Sequence, residues 1–204
     1  NHIPTNLPLL FLNPDTASPF TRIPFDDQVE LLKRLAQMPG HILLGTDFTT
    51  KTLEQRLLDK LSPEEKAKIT YVPTSLSLDG YTALIDFADV FISGDTGPLH
   101  MAAARKVSKS GNHKFRNKTF VVSIFGATPA RYAGYDSKNP LFMPANQDVQ
   151  SRAYTSESPC RNVTCVNKMF KTCKTVRCFE VLDIENIVVD IKLYLNGSKT
   201  TVSA

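Results

Sequence analysis

The sequence lacks any apolar stretch near the ~18 residues of a membrane-spanning helix, which removes a helical span from the reading. The opening residues, Asn1-His2-Ile3-Pro4-Thr5-Asn6, lack the basic and apolar regions of a secretory signal, so no signal peptide is expected. They also lack a methionine, and a fragment or processed product is expected. No Gly-x-Gly-x-x-Gly follows the first apolar run, and Gly-x-x-x-x-Gly-Lys-Ser/Thr is absent throughout. An ordinary dinucleotide dehydrogenase and a phosphate-loop nucleotidase are therefore disfavoured. The net charge is a modest +4. The basic residues gather in Arg105 to Lys118 and Cys160 to Cys178, both free of acids. Aromatics do not interleave with them, so nucleic acid is not an expected partner. The plain account of these runs is solvated loops; the functional one is an electropositive face near an anionic substrate or lipid headgroups.

What is present suits one α/β domain over 1–204, with 42% hydrophobic and 22% charged residues. Leu7 to Leu12 is a continuous apolar run, as expected of a strand buried on both faces. Strands are likewise expected at His41 to Leu44, Ile69 to Val72, Val90 to Ser93 and Thr119 to Phe125. Between them lie helical periods. Val29, Leu32, Leu35 and Ala36 share one face, with Asp26 or Asp27 as the expected cap. Leu53, Leu57 and Leu61 mark a second helix. Ser62-Pro63-Glu64-Glu65 reads as a cap, an N1 proline and an acidic first turn. Leu78 to Ala88 forms another helix. Asp136 to Pro159 has no clean period and reads as loop. A Cys-rich segment spans 160–178, and a C-terminal helix is expected at about 183–196, ending at Asn196-Gly197. The alternation predicts a doubly wound parallel sheet, Rossmann-like, with the turns after its strands lining one crevice.

The stretch from Phe91 to Ala104 organises the chain. A buried strand breaks at Gly94, turns through Asp95-Thr96-Gly97-Pro98 and restarts as a small-residue helix carrying His100. A strand tip, a glycine turn and a helix N-terminus make an anion site, because backbone N–H groups and the helix dipole converge there. Gly97 allows close backbone approach, and Thr96 can cap the helix or bond a phosphate oxygen. His100 lies one turn past Thr96, so both can face one ligand. The plain alternative is that Asp95 and Thr96 only cap a helix and His100 is a satisfied structural histidine. A second turn, Gly126-Ala127-Thr128-Pro129, is placed to join the first. Asp47, after the second strand, is a candidate acceptor for a ribose hydroxyl.

The run Ala88-Asp89-Val90-Phe91-Ile92-Ser93-Gly94-Asp95-Thr96-Gly97-Pro98-Leu99-His100-Met101-Ala102-Ala103-Ala104 resembles the signature of glycosyltransferase family 9, the lipopolysaccharide heptosyltransferases. Val121 to Pro129 is similar to the family's next block. The likeness runs over about residues 7–195, with its specific part from Ala88 to Pro129. It implies the C-terminal, donor-binding half of a GT-B fold. It also implies that Asp95, Thr96, Gly97 and His100 contact a nucleotide-diphosphate sugar resembling ADP-heptose, with Thr128 in support. Arg22 stands one residue out of register with a family lysine and is the candidate replacement for its charge. No metal is required by such chemistry if N–H groups and side chains stabilise the leaving diphosphate. The resemblance further implies a glycolipid acceptor and a cytoplasmic protein peripheral to the inner membrane. It places the catalytic base in an N-terminal acceptor domain absent from this sequence. A non-catalytic nucleotide-sugar-binding module and a GT-B-fold epimerase are the alternatives.

The cysteines, Cys160, Cys165, Cys173 and Cys178, are spaced C-x4-C-x7-C-x4-C. Three readings stand open: a structural zinc or iron site, disulfides, or free thiols.

Overall fold

The structure is a computed structural model. It describes residues 3–4, 6–14, 16, 18, 20–45, 51–73, 75–106, 119–143, 150–156 and 178–199. Strands β1 (Leu9–Asn13), β2 (His41–Leu44), β3 (Ile69–Tyr71), β4 (Val90–Gly94), β5 (Phe120–Phe125) and β6 (Ser151–Thr155) form one six-stranded sheet in the order β3-β2-β1-β4-β5-β6. Every neighbouring pair is parallel. The expected doubly wound parallel sheet is therefore what this chain forms.

Apolar runs read as strands because alternate side chains fill two separate cores. Leu10, Leu12, Ile42, Leu44, Val90 and Ile92 face one core, which helices α1 (Phe25–Ala36) and α7 (Ile184–Lys199) cover. Leu9, Phe11, Leu43, Phe91 and Val121 face the other, covered by α4 (Leu78–Phe87) and α5 (Gly97–Lys106). Leu99, Ala102 and Ala103 are the fully buried face of α5. Two small residues there let its backbone sit close against the sheet. The short helices are α2 (Lys51–Leu58), α3 (Pro63–Lys66) and α6 (Ala130–Ala133). The expected cap of α3 is a reciprocal capping box: Glu65 N–H donates to Ser62 Oγ, and Ser62 N–H donates to the Glu65 carboxylate.

Three expectations need correction. Neither Asp26 nor Asp27 caps α1; Pro24 holds the N-cap position and both acids fall in the first turn. There they face the positive end of the helix dipole without closing a capping bond. The segment read as loop contains β6, hydrogen-bonded beside β5. Its polar sequence hides it: Ser151 is buried, and only Ala153 and Tyr154 pack against the two cores. The Tyr154 hydroxyl donates to Asp190 on α7, and Arg152 Nε lies 3.4 Å from the same carboxylate. Burial and the Asp190 bond push the Tyr154 phenol far upward, so it stays a donor. Helix α7 also continues past Asn196-Gly197 to Lys199, because Gly197 keeps a negative φ.

Candidate functional site

In a sheet of this order the connections diverge between β1 and β4, where successive crossovers leave in opposite directions. Ligands of open α/β sheets bind at such a point, outside the strand C-termini. Here Asn13 and Ser93 close the two strands in register. Asn13 Nδ2 donates to Ser93 Oγ at 3.0 Å. The Tyr81 hydroxyl on α4 donates to Asn13 Oδ1 at 2.8 Å. Ser93 Oγ and Thr96 Oγ1 are 2.9 Å apart, and Thr96 Oγ1 accepts weakly from Leu99 N–H at 3.4 Å. Thr96 is thus a cap of α5, one of the two roles its sequence position left open.

Asp95 sits at the mouth of the same turn. It accepts from the Thr128 hydroxyl at 2.7 Å, so the turns after β4 and β5 do join. His100 Nε2 lies 3.5 Å from its other oxygen. His100 Nδ1 in turn is 2.9 Å from the Tyr135 hydroxyl, and the two rings meet edge to face. The result is a string, Thr128–Asp95–His100–Tyr135, laid across the entrance to α5. The Asp95 carboxyl is held below the usual carboxylate range, first by the bond from His100 and then by Thr128, against the opposing effect of burial. Burial and the nearby Asp95 charge raise the Tyr135 phenol. The site therefore carries a fixed anion at Asp95, with neutral hydroxyl donors at its edges.

A carboxylate with a lowered pKa adds stability that is complete above its unfolded value of ~3.9 and is lost as pH falls through the folded value. Asp95→Asn should therefore melt below the wild type near neutral pH, by an amount worth about 1 kcal/mol. That gap should narrow below pH ~3.9. A gap constant from pH ~7 to pH ~2 in calorimetric melts would contradict the assignment.

Gly97 lies between these two groups of side chains and is exposed. A Cβ built on it meets no atom within 4 Å. Gly94 is different: the same construction meets the Thr21 carbonyl at 3.0 Å, so the loop after β1 packs directly on it. That loop is tied internally by Thr16 and Thr21, whose hydroxyls are 2.7 Å apart. Arg22 Nη2 donates to the Thr16 carbonyl at 2.7 Å. Arg22 is thereby fixed in the loop lying against the end of β4. On the other side of the site, Gly126 lies under the Phe179 ring, leaving no room for a Cβ.

The structure brings Asp95, Thr96, Gly97, His100 and Thr128 together. Arg22 is in the adjacent loop. Asp47 lies outside the described residues, as do Cys160, Cys165 and Cys173. Cys178 is buried, next to the Phe179 that packs on Gly126. Among the described residues no group of three or more His, Cys, Asp or Glu is arranged to hold a metal ion. Among them, too, no helix is long and apolar enough to cross a membrane. Tyr135, Asn13, Ser93 and Tyr81 are members of the site that the sequence did not single out. The faint signal for Asn13 and Ser93 was a polar residue ending each apolar strand.

No curated protein matches the chain at a significant level. Among solved structures it is similar to the E. coli ADP-heptose LPS heptosyltransferase II, at 16% identity and a TM-score of 0.65, covering 95% of this chain and 48% of that one. It also matches E. coli heptosyltransferase WaaC with ADP-2-deoxy-2-fluoro heptose, at 21% identity and a TM-score of 0.46, covering 73% of this chain and 41% of that one. The chain thus spans less than half the length of these solved proteins. The profile of glycosyltransferase family 9 (heptosyltransferase) matches residues 1–171, spanning all six strands of the sheet and the whole string from Asp95 to Tyr135. The chain belongs to glycosyltransferase family 9.

Proposed function

We propose that this chain is the donor-binding, C-terminal half of a heptosyltransferase-like enzyme that moves a sugar from a nucleoside-diphosphate donor to a lipopolysaccharide core or related glycan. The observation that carries this reading is the open face of Gly97, set between the Thr96 hydroxyl and the His100 ring at the N-terminus of α5. A diphosphate resting there meets backbone N–H groups, the positive end of the helix and the Thr96 hydroxyl. The E. coli enzyme whose fold this chain shares is named for ADP-heptose, which supports an ADP-heptose-like donor.

The chemistry follows from charge. An acceptor hydroxyl attacks the anomeric carbon, the bond from that carbon to the diphosphate oxygen breaks, and its electron pair leaves on the diphosphate. Donors already aimed at that oxygen stabilise the developing charge without reorganising. The helix N-terminus and the Thr96 hydroxyl fill this role and call on no metal, while His100, held by Asp95 and Tyr135, walls the site. Ionised Asp95 would repel a phosphate facing it, so its free lone pairs suit hydroxyls of the transferred sugar, while its bonds fix Thr128 and His100. The base that takes the acceptor proton would come from an acceptor-binding half. A glycolipid acceptor would bring the protein to the cytoplasmic face of the inner membrane as a peripheral visitor.

Titration calorimetry with ADP tests the donor site. The wild type should bind, and Thr96→Ala should weaken binding by about tenfold, the value of one hydrogen bond to a charged group. No heat from the wild type at millimolar ADP would overturn the reading.

A further inference from the structure

The hydroxyl of Thr96 ends a run of side chains that begins on another element of the fold. The order is Tyr81 on α4, Asn13 at the tip of β1, Ser93 at the tip of β4, then Thr96. Successive partners are 2.8, 3.0 and 2.9 Å apart. Ser93 is fully buried and Asn13 nearly so. Hydrogens in such a run are not independent: each buried hydroxyl has one to give, and leaving it unspent costs free energy.

Two directions can be compared. If Thr96 donates to Ser93, then Ser93 must donate to the Asn13 carbonyl. Asn13 then turns its amide N–H to Tyr81, and the Tyr81 hydrogen loses the one acceptor it has among the described residues. The Tyr81 oxygen lies against Gly45, where a Cβ would come within 2.7 Å of it. If instead Tyr81 donates to Asn13 Oδ1, then Asn13 Nδ2 donates to Ser93, and Ser93 donates to Thr96. Every buried hydroxyl hydrogen is then spent. Only the Thr96 hydrogen is left, at the one end of the run that opens beside Gly97.

We propose that Tyr81, Asn13 and Ser93 are positioning residues that polarise this run in one direction, so that the Thr96 hydroxyl is presented as a ready donor to a diphosphate oxygen. The proposal rests on the donor reading above and adds residues to it. Burial raises the Tyr81 phenol, which keeps it protonated and so keeps the direction fixed. Thr96 also accepts from Leu99 N–H, so both of its lone pairs are engaged and its hydrogen points to the ligand side. A threonine already committed as a donor loses no orientational freedom when the phosphate arrives.

Tyr81→Phe removes the hydrogen that sets the direction but keeps the ring, which packs 5.1 Å from Phe11. The two directions then become close in free energy, and only a fraction of molecules hold Thr96 ready. ADP should bind about 2- to 3-fold more weakly, the reciprocal of that fraction, and the melting temperature should fall by a few degrees because a buried Asn13 group loses its partner. In a Thr96→Val background the same Tyr81→Phe change should cost nothing further. A purely structural role for Tyr81 predicts the same penalty in both backgrounds, and that result would overturn the proposal, as would unchanged affinity in the single variant. Should the wild type fail to bind ADP, the donor reading falls separately. Neutron diffraction from the unliganded, deuterated protein then decides the direction directly: a Ser93 deuteron on Thr96 sustains the proposal, and a Thr96 deuteron on Ser93 ends it.

Discussion

Gly97→Val should weaken ADP binding by about 100-fold and leave the melting temperature within a few degrees of the wild type. The separation of the two effects comes from what surrounds this residue. A Cβ added at Gly97 touches nothing in the folded protein, and its backbone does not use positive φ, so a side chain adds no strain. At the first turn of α5 a Gly→Val change is neutral to slightly favourable for the helix. The same isopropyl group would stand where a diphosphate must approach the backbone. Displacing a well-fitted ligand in this way costs about 1–3 kcal/mol, whose upper end is the stated factor. Gly94→Val supplies the contrast. Its Cβ would press on the Thr21 carbonyl, so that variant should lose stability first. Unfolding curves and ADP titrations of both variants check the pair. If Gly97→Val binds ADP like the wild type, the open face is not the donor site.

Phe91→Ala should cost about 3–5 kcal/mol, a large share of the ~5–15 kcal/mol that holds a domain together. Phe91 is fully buried in β4, paired in register with Phe11, and the rings meet edge to face at 5.2 Å. Parallel strands pair on both sides of it, and the small-residue face of α5 lies above. None of these can shift far enough to fill the hole, so the penalty should include nearly the whole cavity. Urea unfolding should show a lower midpoint at an unchanged slope. A loss under about 1 kcal/mol would mean that the core collapses around the site more freely than this packing allows.

The central strands were plain in the sequence because a parallel sheet covered on both faces demands continuous apolar runs, as in Leu9–Asn13 and Phe120–Phe125. The edge strand β6 was not. Ser151-Arg152-Ala153-Tyr154-Thr155 meets its partners through Asp136 and Asp190, and nothing in its own letters names them. The site divides in the same way. Asp95, Thr96, Gly97 and His100 lie within one turn of helix and one loop, so local chemistry grouped them. Tyr135 reaches His100 across 35 residues and Tyr81 reaches Asn13 across 68, distances that only the completed sheet removes. Asp26 and Asp27 show a smaller version of the problem. Acids at a helix start signal the start, but whether one of them caps depends on φ and ψ at Pro24.

The strand order also sets a timetable for synthesis. β1 pairs with β2 over a short separation, but its other edge waits for β4, and the Asn13–Ser93 bond spans 80 residues. β3 ends at Tyr71 and β4 at Gly94, 23 residues later (94 − 71). At ~5–20 residues per second, a chain leaving the ribosome carries an open β1 edge for about 1–5 s after its first three strands are available. That edge is Leu9-Leu10-Phe11-Leu12-Asn13, an apolar template for any passing strand. The same seam that later holds the Asn13–Ser93 contact is, during those seconds, an edge open to wrong pairing.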